Sequence, residues 1–311
     1  MDDRDPLIRM EAFGFLDRLR SQFGEILPRA ELAKGFVFDG IRVPLLSAQG
    51  IFKPAALERV PLSITTVPII EGQPRPYEDE TRPDGLISYK YRSHGGPQHR
   101  DNVGLRLAMT EKTPLVYFHG VEPGYYEALY PVLIVGDDPR REFFIVAVSN
   151  PRLAGEALPA LAVAESMAEI QREYVTAAVL RRVHQASFRF RVLRAYKHTC
   201  AICRLRHAEL LDAAHILPDG HPKGEPWVSN GISLCKLHHA AYDKNVLGIR
   251  PHDLIVEVRS DIRKEDDGPT LRHALQELHG TPLGHLPRSR AQRPKREFLE
   301  ERYEQFRSTA H

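Results

Sequence analysis

With 311 residues, 42% of them hydrophobic and 27% charged, the chain has the balance of a globular protein long enough for two domains. A net charge of +2 and a pI near 8.4 select no partner, and no apolar run approaches the ~20 residues that a membrane span requires. The acidic start Met-Asp-Asp-Arg-Asp lacks the apolar stretch of a secretory signal, and three cysteines do not suit a disulfide framework, so a reducing, cytoplasmic setting is expected.

Phe13, Leu16, Leu19, Phe23 and Leu27 recur every three or four residues and predict an amphipathic helix over 6–27, ended by Pro28. From about 34 to 150 the pattern changes to short β-branched and aromatic segments. Phe36-Val-Phe, Ile41-Arg-Val, Leu62-Ser-Ile-Thr-Thr-Val, Leu86-Ile-Ser-Tyr, Pro114-Leu-Val-Tyr-Phe, Pro131-Val-Leu-Ile-Val and Phe143-Phe-Ile-Val are the clearest. Gly, Pro and Asp clusters separate them, which predicts a β-barrel or sandwich, with a short helical insertion at 104–111. Ala160 to Tyr196 contains no Pro or Gly and predicts one long helix or two abutting ones. The tail, 259–311, carries two further helical candidates at about 267–279 and 295–308.

Charge is unevenly placed. Arg181, Arg182, Arg189, Arg191, Arg194, Lys197, Arg204 and Arg206 follow one another without an intervening acid, and Arg288, Arg290, Arg293, Lys295 and Arg296 form a second basic run. Such clusters suit contact with a phosphate backbone, with Arg189, Arg191 and Arg194 the candidates nearest the motifs that follow.

All three cysteines fall into one frame: Cys200-x2-Cys203, then Cys235-x2-His238 after 31 intervening residues. Two matched half-sites of this kind have the ligand types and spacing of a closed structural Zn2+ site. A second set lies within and beside the frame: Asp212-Ala-Ala-His215-Ile, Asn230-Gly231, and His239-x2-Tyr242-Asp243. Residues 210–215 read as a strand, 229–235 as a turn and strand, and 236–243 as a helix.

This ordered set resembles the HNH (ββα-metal) nuclease family over about 195–250. The resemblance implies phosphodiester hydrolysis, with His215 as the general base, Asn230 orienting that imidazole through a hydrogen bond, and His239 binding one divalent cation, Mg2+ or a relative. Many family members carry Asp directly before the base. Position 214 here is Ala, so the resemblance leaves as second metal ligand Asp212, three residues before His215, or Asp243, one turn beyond His239. The spacing from Cys235 assigns His238 to zinc and His239 to the catalytic ion, with the reverse open.

Further upstream, Pro76-Tyr77-Glu78-Asp79-Glu80, then Asp84-Gly85-Leu-Ile-Ser-Tyr89, then Gly95-Gly96 and Asp101-Asn102 resemble the SRA (YDG) family over roughly 35–150. That resemblance implies recognition of a flipped 5-methylcytosine, with Tyr77 and Tyr89 stacking on the base and Asp79 (or Glu80) accepting from its exocyclic amine.

The expected fold is therefore α+β: an N-terminal helix (1–33), an SRA-like β-barrel (34–155), a helical linker (156–196), and a zinc-stabilised HNH domain with C-terminal helices (197–311). The expected function is a modification-dependent DNA restriction endonuclease acting on double-stranded DNA. A homodimer is expected, since cutting both strands needs two centres. The alternatives are an HNH nuclease that reads unmodified sequence, and a zinc-stabilised DNA-binding regulator that does not cleave.

Overall fold

Alternating burial along the strands sets the architecture of the N-terminal half. In the computed structural model, which describes residues 4–68, 70–71, 86–92, 96–148 and 165–309 (without side chains for 165–175), the chain divides into two units, Met1–Ala186 and Ser187–His311.

The first unit opens with α1 (Arg4–Phe23), then β1 (Ile26–Pro28), the single turn α2 (Arg29–Leu32) and the hairpin β2 (Phe36–Phe38) and β3 (Ile41–Val43). Then come β4 (Ile51–Phe52), β5 (Ser63–Thr65), β6 (Ile87–Lys90), α3 (Arg100–Thr110), β7 (Leu115–Glu122), β8 (Tyr125–Asp138) and β9 (Phe143–Val148). Seven strands form one sheet in the order β4-β5-β7-β8-β9-β6, with β1 added to β8; β5 and β7 are parallel, and the other pairs antiparallel. Among the described residues this is an open, half-barrel sheet and not a closed barrel.

Period-2 alternation sends successive side chains to opposite faces. Val116, Phe118, Ala128 and Tyr130 join a core with Ile8, Ala12, Leu16 and Leu19 of α1. Leu115, Tyr117, Leu129 and Phe144 join another with Leu105 of α3 and with Val179, Leu180 and Val183 of α4 (Glu165–Ala195). The first helix stops earlier than its periodicity predicts. Gly24 takes φ +82° and its N–H bonds the Arg20 carbonyl, which turns Ile26–Pro28 out to pair with β8.

One group in this sheet is electrostatically costly. Glu127 of β8, opposite His119 and Ile26 in the register, is fully buried, and neither carboxylate oxygen has a hydrogen-bond partner. Burial, and then the charge of Glu25, push its pKa up from 4.5 to about 7, against the pull of Arg182 and Arg20. A carboxyl held neutral in the fold contributes stability that is complete below pH 4.5 and is lost as pH rises to about 7. The loss is on the order of 3 kcal/mol. Glu127→Gln should flatten that dependence, raising the melting temperature at pH 8 much more than at pH 5. A variant that keeps the wild-type slope would acquit this carboxyl.

The division between the units falls inside α4, so its last turns belong to the second unit. There follow β10 (Leu211–His215), β11 (Gly231–Cys235), α5 (Lys236–Asp243), the hairpin β12 (Leu247–Ile249) and β13 (Val256–Val258), α6 (Ser260–Lys264), α7 (Pro269–Ala274) and α8 (Arg296–Thr309). A single core joins Phe188, Val192 and Tyr196 of α4 to Leu211, Ile232, Leu234, Tyr242, Leu247, Val256, Phe298 and Leu299. Arg302 of α8 lies 4.6 Å over the Tyr242 ring and donates to the Tyr242 carbonyl, tying the tail helix to α5. No described helix is long and apolar enough to cross a membrane.

Candidate active site

The site is built on a short antiparallel hairpin with a helix attached. Leu211 pairs with Cys235 and His215 with Gly231, and α5 starts directly after β11 with Cys235 as its N-cap. The direct strand-to-helix junction places His238 and His239 in the first turn of α5, against β10. Asp212 is thereby brought beside His239: its carboxylate lies 3.5 Å from Nδ1, and Asp243 lies 3.3 Å from Nε2 on the other side of the ring. Both candidate carboxylates are in place, each facing a different ring nitrogen.

Charges follow the geometry. Asp212 is held below the ordinary carboxylate range, mainly by its interaction with His239, which outweighs burial. His239 is raised by Asp212, against the opposing effect of burial. Each half-exposed carboxylate pairs with its own ring nitrogen, so His239 with Asp212, or His239 with Asp243, offers a nitrogen–oxygen pair suited to a divalent cation that keeps water ligands. A bound cation would displace the proton that the carboxylates otherwise favour on His239.

His215 is in a different state. Its ring is stacked on Phe188 with centroids 3.8 Å apart and planes 14° apart, and Nε2 is buried without a hydrogen-bond partner. Burial holds its pKa below the ordinary histidine value; His239 pushes the same way, and Asp219 and Asp243 oppose it. The imidazole is thus neutral near pH 7, with a lone pair available to take a proton.

Asn230 does not have the role that its motif implies. Its side-chain oxygen accepts from the Leu217 N–H at 2.9 Å, and its amide donates to the carbonyls of Leu217 and Glu225 at 3.0 and 3.1 Å. Its own carbonyl accepts from the Ile216 N–H. The residue is fully buried at the turn entering β11. From there its amide reaches the loop that leaves His215, so it clamps the chain there and makes no hydrogen bond to the imidazole.

Cys200, Cys203, Cys235 and His238 place their ligand atoms within 4.8 Å of one another, the one such group of three or more among the described residues. His238 presents Nδ1 at 3.1 Å from the Cys235 sulfur and 3.6 Å from that of Cys200, while Nε2 lies 2.8 Å from the Ala274 carbonyl. That carbonyl accepts a hydrogen bond from Nε2–H, which leaves Nδ1 free as a ligand. The thiols conflict without a cation: Cys200 is driven strongly down by its hydrogen bonds with Cys203 and Cys235, while Cys203 is driven strongly up by Cys200 and Cys235. A divalent ion bound between the sulfurs would remove the conflict. The donor set fits Zn2+ in a closed, structural position.

Two of the three arginines expected on a DNA backbone, Arg189 and Arg191, bond carbonyls of the unit. Arg189 donates to the carbonyls of Leu211 and Ala208 at 2.8 and 3.1 Å and lies 3.4 Å from Asp212. Arg191 donates to the Pro226 carbonyl at 2.9 Å, and the exposed Arg194 lies 5.7 Å over the Phe190 ring. Carbonyls left over at the hairpin ends need donors, and the facing helix supplies them. Tyr77, Asp79 and Glu80 lie outside the described residues. Tyr89 of β6 is 5% exposed in the core, with its hydroxyl 3.3 Å from the Thr65 carbonyl.

Phe188 escaped the sequence reading because it sits in a run noticed for its arginines. The signal was present in the spacing Phe188, Val192, Tyr196, an apolar stripe at i, i+4 and i+8. All three meet Gly231, where an added Cβ would lie 2.5 Å from Val192 and 2.8 Å from Phe188, and whose carbonyl is 3.3 Å from the Tyr196 hydroxyl.

A two-stranded hairpin and helix, braced by a Cys3His quartet and carrying a neutral histidine near a carboxylate-flanked one, has the arrangement of a metal-assisted phosphodiesterase. Residues 200–250 match the family model described as HNH endonuclease. The chain thus carries an HNH endonuclease domain, and the protein is a DNA-hydrolysing enzyme. A solved structure entitled "Modification dependent TagI restriction endonuclease" matches at 19% identity and a TM-score of 0.29, covering 79% of this chain and 82% of that one. No curated protein matches.

Proposed function

We propose that the protein is a modification-dependent DNA endonuclease, in which the N-terminal unit recognises a base of the 5-methylcytosine type and the HNH domain hydrolyses a phosphodiester in the same duplex. The observation that carries the nuclease part is the gathering of His215, His239, Asp212 and Asp243 on one braced hairpin and helix. The neutral imidazole of His215 takes the proton from the attacking water. Asn230 holds the loop after His215, fixing where that strand ends. His239, with Asp212 or Asp243, would hold the divalent cation, Mg2+ or another, which supplies charge neutralisation at the phosphate. Cys200, Cys203, Cys235 and His238 would hold a structural Zn2+ and take no part in the chemistry.

Base recognition rests on the resemblance of residues 76–102 to the SRA family. In this reading Tyr77 supplies a stacking face and Asp79 or Glu80 the acceptor for the exocyclic amine, while Tyr89 is packed in the core and would have to leave it to reach a base. Stacking on aromatic rings contributes ~1–3 kcal/mol per base, which helps offset unstacking. Two protomers would act together on a duplex, one on each strand.

Matched duplexes with and without 5-methylcytosine, incubated with Mg2+ or Mn2+, provide the test. The modified duplex should be cut about 10- to 100-fold faster, the ratio that one well-made base contact supports. Equal rates on both would transfer the assignment to a nuclease reading unmodified sequence. Binding without cleavage of either would leave a zinc-stabilised regulator.

A further inference from the structure

We propose that Phe188 is the positioning residue of the hydrolytic reaction, its ring stacked face to face on His215 so that the imidazole is held in its working orientation. The inference rests on His215 being the base. It answers a question left by the hairpin: what fixes the plane of a ring to which Asn230 makes no hydrogen bond.

An imidazole turns about two side-chain torsions, and a hydrogen bond to one nitrogen usually stops the second. Here Nε2 has no partner, and the side-chain amide of Asn230 is fully engaged with Leu217 and Glu225. What the ring does have is Phe188 at 3.8 Å between centroids and 14° between planes. Rotation of the imidazole out of that plane would drive its edge into the phenyl face.

The phenyl ring is itself immobilised. Phe188 is 2% exposed, and its far edge fills the space where a side chain at position 231 would stand. Gly231 is directly opposite His215 in the register, so the missing Cβ and the stacked ring belong to one slot. Arg189 and Arg191, on either side of this part of α4, bond the carbonyls of Leu211 and Pro226 and hold the helix against the hairpin. Tyr196, two turns on, reaches the Gly231 carbonyl. The base is thus oriented from the helix, through an apolar contact that also strips water from one face of the imidazole. That desolvation favours the neutral, proton-accepting form.

Phe188→Leu in the full-length protein removes the flat face while keeping an apolar side chain. Its kcat should fall about 10²-fold with KM for DNA within about twofold, the pattern of a misplaced catalytic group. Val192→Ala, on the same helix face, should lower the melting temperature yet leave kcat unchanged well below melting. A readout independent of cleavage is the NMR position of the His215 ring protons in the zinc-loaded protein without added Mg2+ or Mn2+. Ring current from Phe188 should shift them upfield in wild type, with the signals assigned by their disappearance in His215→Ala, and Phe188→Leu should return them to the ordinary position.

Unshifted protons in wild type, or a Phe188→Leu enzyme cutting within about threefold of an active wild type, would overturn the proposal. If Phe188→Leu does not fold, the wild-type shift still decides. A wild type that shows the upfield shift but never cuts DNA would overturn the nuclease reading and retain the stacking geometry.

Discussion

His215→Ala is expected to leave a folded protein that binds duplex DNA as tightly as wild type and cuts it about 10³-fold more slowly. General-base catalysis by a positioned side chain contributes ~10²–10⁴-fold, and among the described residues His215 is the one imidazole on the paired strands β10 and β11. Binding should survive because the backbone around His215 is held by Asn230 and by the β10–β11 ladder, neither of which uses the imidazole. Affinity measured by fluorescence anisotropy without added Mg2+ or Mn2+, beside single-turnover cleavage with them, separates the two effects. A variant cutting within about tenfold of wild type would move the base elsewhere.

Cys235→Ser acts on the frame and should have the larger effect on stability. Cys235 ends β11, caps α5 and stands against His238, so one sulfur links strand, helix and quartet. Structural zinc contributes apparent binding free energies of ~10–16 kcal/mol in small zinc-dependent modules. Loss of one thiolate ligand is therefore comparable with the ~5–15 kcal/mol that stabilises an ordinary domain. Unfolding of the Ser187–His311 unit should fall by roughly 15 °C or lose its cooperative transition altogether. Chelation of wild type should give the same calorimetric trace, and metal analysis should find about one Zn2+ per wild-type chain and less in the variant. An unchanged trace with unchanged metal content would refute the zinc assignment.

Legibility differed between the two halves for a physical reason. The hairpin, α5 and the quartet could be read almost residue by residue, because their ligands are close in sequence and tied to strand and helix periods. The hairpin β12–β13 was not foreseen; its strands are three residues each, too short for a period to declare itself. In the N-terminal unit β2, β3 and β9 coincide with their predicted segments. The first half of β8 was missed, since Pro131 and the acidic Glu127 interrupt what otherwise reads as a strand. The helix expected to reach Leu27 stops at Phe23, because pairing of β1 with β8 outweighs helical spacing there.

By itself the sequence determined the chemistry available: four zinc-type ligands in two matched pairs, a histidine and an asparagine on a short hairpin, and a second histidine in the helix that follows. Ligand type and local spacing suffice for that, because each pair is held by a turn of a few residues. Only the tertiary structure decided how these groups are used. Asn230 turned to the loop, Arg189 and Arg191 to hairpin carbonyls, and Phe188 to the face of His215. Those choices depend on which buried donors and acceptors meet across elements distant in the chain, and a buried polar group takes the partner that packing places within reach.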